Sequence, residues 1–202
     1  MSTSEGPEAR LRALAQSPEP SARERILTES FVLFYTDGIR AVGVDLLIAR
    51  SDVAKATFYR HFASKSDLVV AYLDRRRRAM LDWLAEEVAV RPGPPLLAVF
   101  DALGELFADP AFRGCPVHNA VVEAGTDSAA VRERAVTHAA ELSRYIAGLA
   151  TASGLDAGDL APRWVLLIDG AFVGAQRGEG REAAAVARRA AELLLAGVPI
   201  TR

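Results

Sequence analysis

The chain has 202 residues, half of them hydrophobic, and a formal net charge of −2. That share of apolar side chains can fill a sizeable core, which excludes global disorder, and no run of about 18 apolar residues is present to span a membrane. A single cysteine, Cys115, excludes an internal disulfide and fits a reducing compartment.

In chain order, residues 1–20 read as a flexible arm broken by Pro7, Pro18 and Pro20, with a helical stretch around Glu8 to Gln16. They lack the basic and apolar regions of a signal peptide, so the expected location is cytoplasmic. Ser21 and Glu24 form a capping box that opens a helix carrying Ile26, Leu27, Phe31, Phe34 and Tyr35 at helical spacing. Gly38 is placed to end it with a left-handed backbone. A short helix follows over Val44 to Arg50, then Ser51 and Asp52, then a second short helix from about Ala54 to His61. Asp tolerates the left-handed conformation of a tight interhelical turn less easily than Gly. Two short helices joined by about four residues and braced by a longer one form a helix-turn-helix.

Ser64 and Asp67 cap a long helix that runs to about Val90, and Arg91-Pro92-Gly93-Pro94-Pro95 breaks it. Further helices are expected over Leu96–Ala108, Val117–Ala124, Ser128–Ser153, Asp159–Arg177 and Glu182–Ala196, with no strand alternation of useful length. The fold class is all-α with about nine helices. Its parts are the flexible arm 1–20, a three-helix helix-turn-helix over 21–66, and a larger helical domain over 67–202.

Charge divides the same way. Residues 1–80 carry 13 Lys+Arg against 10 Asp+Glu, and residues 81–202 carry 11 against 16. A local basic face on a mildly acidic body can hold DNA, because charge interactions are short-ranged in salt. The chain has two lysines, Lys55 and Lys65, and both fall in or beside the second short helix. Arg75-Arg76-Arg77-Arg78 points all round its helix axis, so most of that run is expected to be solvated.

The segment Val53-Ala54-Lys55-Ala56-Thr57-Phe58-Tyr59-Arg60-His61-Phe62, followed by Ser64-Lys65, resembles the DNA-binding motif of the TetR (tetracycline-repressor) family. The likeness is strong over residues 21–68, and it implies a DNA-binding domain over 21–66 and a ligand-sensing and dimerisation domain over 67–202. It departs at Asp52, where the family usually has Gly, and at Ala54, where Ser often caps the recognition helix. Asp52 could take over part of that capping, and it brings a negative charge near the DNA. The resemblance implies a DNA-binding regulator in which Thr57, Tyr59, His61 and Lys65 contact phosphates, and their side chains are suitable donors. Lys55 and Ala56 open the recognition helix. A Lys there can donate to guanine and an Ala can touch a thymine methyl. Arg60 can reach either target, and Asp45 can accept from a cytosine amine or orient a basic neighbour.

An effector pocket needs apolar walls with a few placed polar groups. Trp83, Phe100, Leu103, Phe107, Val122, Tyr145, Trp164 and Phe172 can supply walls. Cys115, His118, Asn119, Glu123, His138 and Asp169 can supply polar contacts. Cys115, His118 and Glu123 also invite a metal reading. Pro116 disturbs their shared helical face and three or four ligands are needed, so no metal and no cofactor is expected.

Residues 159–197 are expected to form the dimer interface. Gly170 and Gly174 beside Ala171 and Ala175 permit close helix approach, and Val186, Ala190, Leu193 and Leu194 supply the last helix. The expected function is a ligand-responsive transcription regulator, not an enzyme. It acts as a homodimer on double-stranded, near-palindromic operator DNA and is a repressor released by an unidentified small molecule, with activation as the open alternative. The rival is a helical ligand-binding protein whose DNA reader has decayed, with Asp52 and the negative net charge in its favour. An enzyme finds no Ser-His-Asp, Cys-His or Gly-rich phosphate loop among three histidines and one cysteine.

Overall fold

The computed structural model describes residues 6–16, 20–124 and 128–197. Among them it has ten α-helices, one π-helical turn and no strand. The helices are α1 (Pro7–Leu14), α2 (Ala22–Thr36), α3 (Val44–Ser51), α4 (Lys55–His61), α5 (Lys65–Val90), α6 (Pro95–Phe107), α7 (Pro116–Ala124), α8 (Ala129–Ala152), α9 (Leu160–Gly174) and α10 (Arg181–Ala196), with the π turn at Ala175–Glu179. Of the expected arm, residues 1–5 and 17–19 lie outside the described residues. Its middle forms α1, with Glu8 and Leu11 buried. No helix among the described residues is long and apolar enough to cross a membrane.

Two compact units form. One comprises residues 9–80 and 115–136, and the other comprises residues up to 8, 81–114 and 137 onward. The grouping follows contact rather than chain order, so α7 and the start of α8 join the helix-turn-helix. Arg134 on α8 pairs with Asp74 on α5 at 3.2 Å in that unit.

In the helix-turn-helix unit, Ser21 caps α2 as its sequence predicts, its hydroxyl accepting the Glu24 N–H at 3.2 Å. Without the Ser hydroxyl, one of the four orphan N–H donors of the first turn loses its acceptor. The apolar side of α2 buries Ile26, Leu27, Phe31, Phe34 and Tyr35. Phe34 meets Tyr72 of α5 edge to face at 5.3 Å. Gly38 ends the helix at φ +90°, a conformation that costs a Cβ-bearing residue.

The arginine run departs from its expected solvation, and only Arg78 is exposed. Arg76 is buried between the rings of Phe31 and Tyr35, at 3.7 and 3.8 Å from their centroids, and donates to the Phe31 carbonyl at 3.2 Å. Cation–π contact of a desolvated guanidinium is worth about 2 kcal/mol. Arg75 pairs with Glu24, and Arg77 lies 3.9 Å from Asp74. The reason is that α5 is packed on more than one side, so most of its circumference is interior.

Leu47 and Ser51 anchor α3, the Ser51 hydroxyl donating to the Leu47 carbonyl at 2.6 Å. Phe58 and Phe62 anchor α4 and its exit. Between them Asp52 takes the left-handed conformation, φ 49° and ψ 56°. Arg25 of α2 clamps this turn, Nε donating to the Ser51 carbonyl at 3.0 Å and a terminal nitrogen to the Asp52 carbonyl at 3.1 Å. A cation on the last carbonyls of a helix satisfies orphan acceptors and opposes the helix dipole. The expected capping of the next helix by Asp52 is not made. Ala54 is the N-cap of α4 and carries no side-chain capping bond, and Asp52 ends α3 with its backbone instead.

In the other unit α6 is the central element. Leu96, Leu97, Ala98, Val99, Phe100, Ala102, Leu103, Leu106 and Phe107 are all buried, an apolar surface too wide for one face. Helix α10 packs on α6 and α9 through Ala183, Ala184, Ala187 and Ala191, whose small side chains permit the approach. Trp164 of α9 is fully buried and donates its indole N–H to the Leu96 carbonyl at 3.1 Å. The α9 helix stops at Gly174 rather than near Arg177, and the backbone widens into the π turn with Gly178 at φ 103°.

The Asp52 turn yields a stability test. Asp52→Gly removes a Cβ from a left-handed residue and is expected to leave the urea midpoint equal or higher. Asp52→Val puts a branched side chain there and is expected to lose about 1–2 kcal/mol, read from equilibrium urea unfolding.

Candidate nucleic-acid interface

Helix α4 has seven residues and two faces. Phe58 and Phe62 are turned inward and almost fully buried. Lys55, Ala56, Tyr59 and Arg60 are exposed, while Thr57 and His61 are half-buried at the flanks. The inward pair fixes which face is outward, because Ala56 and Arg60 lie across the helix axis from Phe58, with Lys55 and Tyr59 beside them on the exposed side. Tyr59 stands 45% exposed with its ring edge to face against Phe58 at 5.4 Å. That packing limits the ring's freedom while leaving the phenol available.

Asp45, at the exposed start of α3, lies 3.7 Å from the Lys55 ammonium. The carboxylate therefore reaches the first residue of α4, which agrees with orienting a basic neighbour. Both partners are largely solvated, so this pair adds little to stability. Lys65, the first residue of α5, is half-buried with its ammonium 6.0 Å from the Phe34 ring centroid. Burial lowers its pKa, and the charge of Glu123 pulls it partly back up. The structure thus brings Asp45 and Lys55 together and sets Ala56, Tyr59 and Arg60 on one face, with Thr57, His61 and Lys65 beside it. The exposed carboxylate of Asp52 lies on the neighbouring turn, whose left-handed residue is Asp52 itself.

Two residues of this site were missed by sequence reasoning. Arg25 holds the α3–α4 turn from 26 residues away, and no local pattern announces such a contact. Glu123 was read as a pocket group. Its carboxylate instead accepts the backbone N–H of Arg40, in the turn between α2 and α3, at 2.8 Å.

The effector candidates fall into both units. In the α6 unit Trp83, Phe100, Leu103, Phe107, Trp164 and Phe172 are buried. Phe100 lies 6.0 Å from Trp164, and Phe107 lies 5.0 Å from Phe172. The Trp83 indole N–H has no hydrogen-bond partner. Tyr145 is half-buried, and burial pushes its pKa up to about 12. Asp169 is half-buried. In the helix-turn-helix unit Cys115 is buried and reduced, and His118 and Asn119 are half-buried. Val122 departs from its expected place in a wall. It is 80% exposed, on the side of α7 away from buried Val117 and Ala120. Among the described residues no group of three or more His, Cys, Asp or Glu is arranged to hold a metal.

An open groove of about 230 Å³ runs between α9 and α10, lined by Leu166, Gly170, Ala171, Val186, Ala187 and Ala190 among others. Leu166 and Leu193 are 71% and 79% exposed beside it. Of the two glycines expected to serve close approach, Gly170 faces open space. Gly174 is spent inside the chain, where an added Cβ would come within 2.9 Å of Ala183.

With this geometry in place, the comparisons with known proteins agree on one family. The family model described as "Bacterial regulatory proteins, tetR family" matches residues 26–72, and that described as "Tetracyclin repressor-like, C-terminal domain" matches residues 92–192. An uncharacterized HTH-type transcriptional regulator of Lactococcus lactis subsp. lactis is 27% identical over 107 residues, 51% of this chain and 55% of that protein. The chain thus spans about half the length of the curated relative it matches. A crystal structure of a TetR-family transcriptional regulator from Streptomyces coelicolor is similar with a TM-score of 0.76 and 29% identity, covering 88% of this chain and 95% of the other. A TetR transcriptional regulator from Chloroflexus aurantiacus J-10-FL shares the fold at a TM-score of 0.71 and 23% identity, covering 89% of this chain and 97% of the other. A family model that covers half of the chain, a second that covers the helix-turn-helix, and folds that superpose along most of its length lead to one conclusion: the chain belongs to the TetR family of bacterial DNA-binding transcription regulators.

Proposed function

We propose that the protein is a homodimeric repressor that leaves a near-palindromic operator when a small molecule binds its α6-centred unit. The observation that carries the reading is α4, with Phe58 and Phe62 held in the core and Lys55, Ala56, Tyr59 and Arg60 turned out together. A helix so anchored can enter a major groove with its first residues toward base edges. Lys55 donates to guanine, Ala56 lets the helix sink and meets a thymine methyl, and Asp45 keeps the Lys55 ammonium in place. Thr57, Tyr59, His61 and Lys65 take phosphates, and Arg60 takes either target. The site of action is the cytoplasm, where the DNA is.

Dimerisation supplies the second half-site. The exposed apolar side chains of Leu166, Val186 and Leu193 flank the groove on α9 and α10, and burial against a second copy removes them from water. Two recognition helices roughly 34 Å apart then meet successive major grooves. The effector is held by the buried aromatic side chains of Phe100, Phe107, Trp164 and Phe172, with Tyr145 and Asp169 as polar groups. An acceptor on it would satisfy the Trp83 indole. Helix α5 is continuous from Lys65 to Val90, so a shift at its far end reaches the helix-turn-helix. A tenfold loss of operator affinity needs about 1.4 kcal/mol of coupling.

The test is fluorescence anisotropy with the duplex upstream of the protein's own coding sequence. Lys55→Ala and Tyr59→Ala are each expected to weaken binding by about 1–3 kcal/mol, with Lys55→Ala also relaxing base preference. Unchanged affinity in the double variant contradicts α4 as the reader. For the dimer, Val186→Glu with Leu193→Glu is expected to shift sedimentation to the monomer and to weaken operator binding at least tenfold, since each half-site then binds alone. A variant that stays dimeric contradicts the α9–α10 interface.

A further inference from the structure

Glu123, on the last turn of α7, is built into the turn that leads to α3. Its Oε2 accepts the Arg40 N–H at 2.8 Å. A Cβ on Gly38 would lie 3.3 Å from the same oxygen and 3.5 Å from the other, so the carboxylate rests against backbone that a side chain would crowd. Gly38 is also the left-handed residue that ends α2. One carboxylate therefore rests against two positions, Gly38 and Arg40, of the connection between the bracing helix and the first helix of the reader.

The same carboxylate faces one of the chain's two lysines. Glu123 and Lys65 line one cavity of about 240 Å³, together with Ser66, Val69, Ala120 and Val131. Other groups that carry charge or polarity there are Arg40 and Ser128. Burial makes the Lys65 ammonium costlier and Glu123 offsets part of that cost. A phosphate that approaches Lys65 must compete with this carboxylate. The cavity gives the two side chains room to separate, since packed interiors leave few such spaces. Asn119 lies one turn before Glu123 on α7 and shares its face.

We propose that Glu123 is a positioning residue for DNA binding: it ties α7 to the α2–α3 turn and holds back the Lys65 charge from the DNA backbone, so that α7 sets the reader's affinity. The proposal rests on reading Lys65 as a phosphate contact. Glu123 contributes in two separable ways. As an acceptor it fixes the Arg40 backbone in the connection between α2 and α3. As a charge it competes with phosphate. Glu123→Gln keeps an acceptor oxygen and removes the charge; Glu123→Ala removes both.

The experiment measures affinity of the full chain for its upstream duplex by anisotropy across a salt series, in wild type, Glu123→Gln, Glu123→Ala, Lys65→Ala and the double variant Lys65→Ala/Glu123→Gln. Glu123→Gln is expected to bind about two- to fivefold tighter, the size of a surface charge pair, with a steeper salt dependence by up to about one unit of slope. Glu123→Ala is expected to bind more weakly than Glu123→Gln. In the Lys65→Ala background the gain from Glu123→Gln is expected to vanish, which a fold-level defect would not do. An unchanged affinity and slope in Glu123→Gln overturns the proposal, as does a gain that persists without Lys65. If Lys65→Ala itself alters neither affinity nor slope while Lys55→Ala weakens binding, the phosphate role of Lys65 is what fails, and the proposal falls with it.

Discussion

The turn between α3 and α4 is the constraint on which the DNA-binding face depends. It is held by the Arg25 guanidinium on the carbonyls of Ser51 and Asp52, and by a left-handed Asp52. Helix α4 has seven residues, too few to be stable alone. Its direction is therefore inherited from that turn at one end and from buried Phe58 and Phe62 along its length. Change the turn, and Lys55, Tyr59 and Arg60 point elsewhere even though α4 keeps its composition. An Asp in the left-handed region strains the backbone mildly, and two hydrogen bonds from Arg25 offset that strain without needing Gly.

Much of this was legible in the sequence because it is local. Ser21 with Glu24 and Ser64 with Asp67 act over three residues, and both caps form as their spacing predicts. The second short helix, expected from about Ala54 to His61, starts one residue later, at Lys55. What escaped notice was set by contacts far apart in the chain. Arg25 and Ser51, Arg40 and Glu123, and Arg76 and Phe31 are separated by 26, 83 and 45 residues. No spacing rule reports such pairs. The arginine run misled for a related reason: a helix with neighbours on several sides turns charged residues inward if aromatic faces and a carbonyl receive them.

The C-terminal part was legible as a set of helices and not as a site. The aromatic side chains on α6 and α9 offered as pocket walls are buried, and the same pattern serves packing and binding alike. Val122 shows the limit. Its hydrophobicity suggested a wall, but its angular position on α7 puts it outside. Gly174 shows another, since a small-residue step can be consumed inside one chain, here against Ala183. Helix α7 is the element whose meaning changed most. Expected in the sensing half, it groups by contact with the helix-turn-helix, and that placement brings Glu123 to the Arg40 N–H in the turn between α2 and α3.

The most direct measurement of the central claim is a backbone amide NMR titration of the intact protein with its upstream duplex. The account predicts the largest shift changes at Lys55 to His61 and at Lys65, with smaller ones at Asp45 and little change along α10. Perturbations concentrated on α9 and α10, with α4 amides unmoved at saturating duplex, would contradict it.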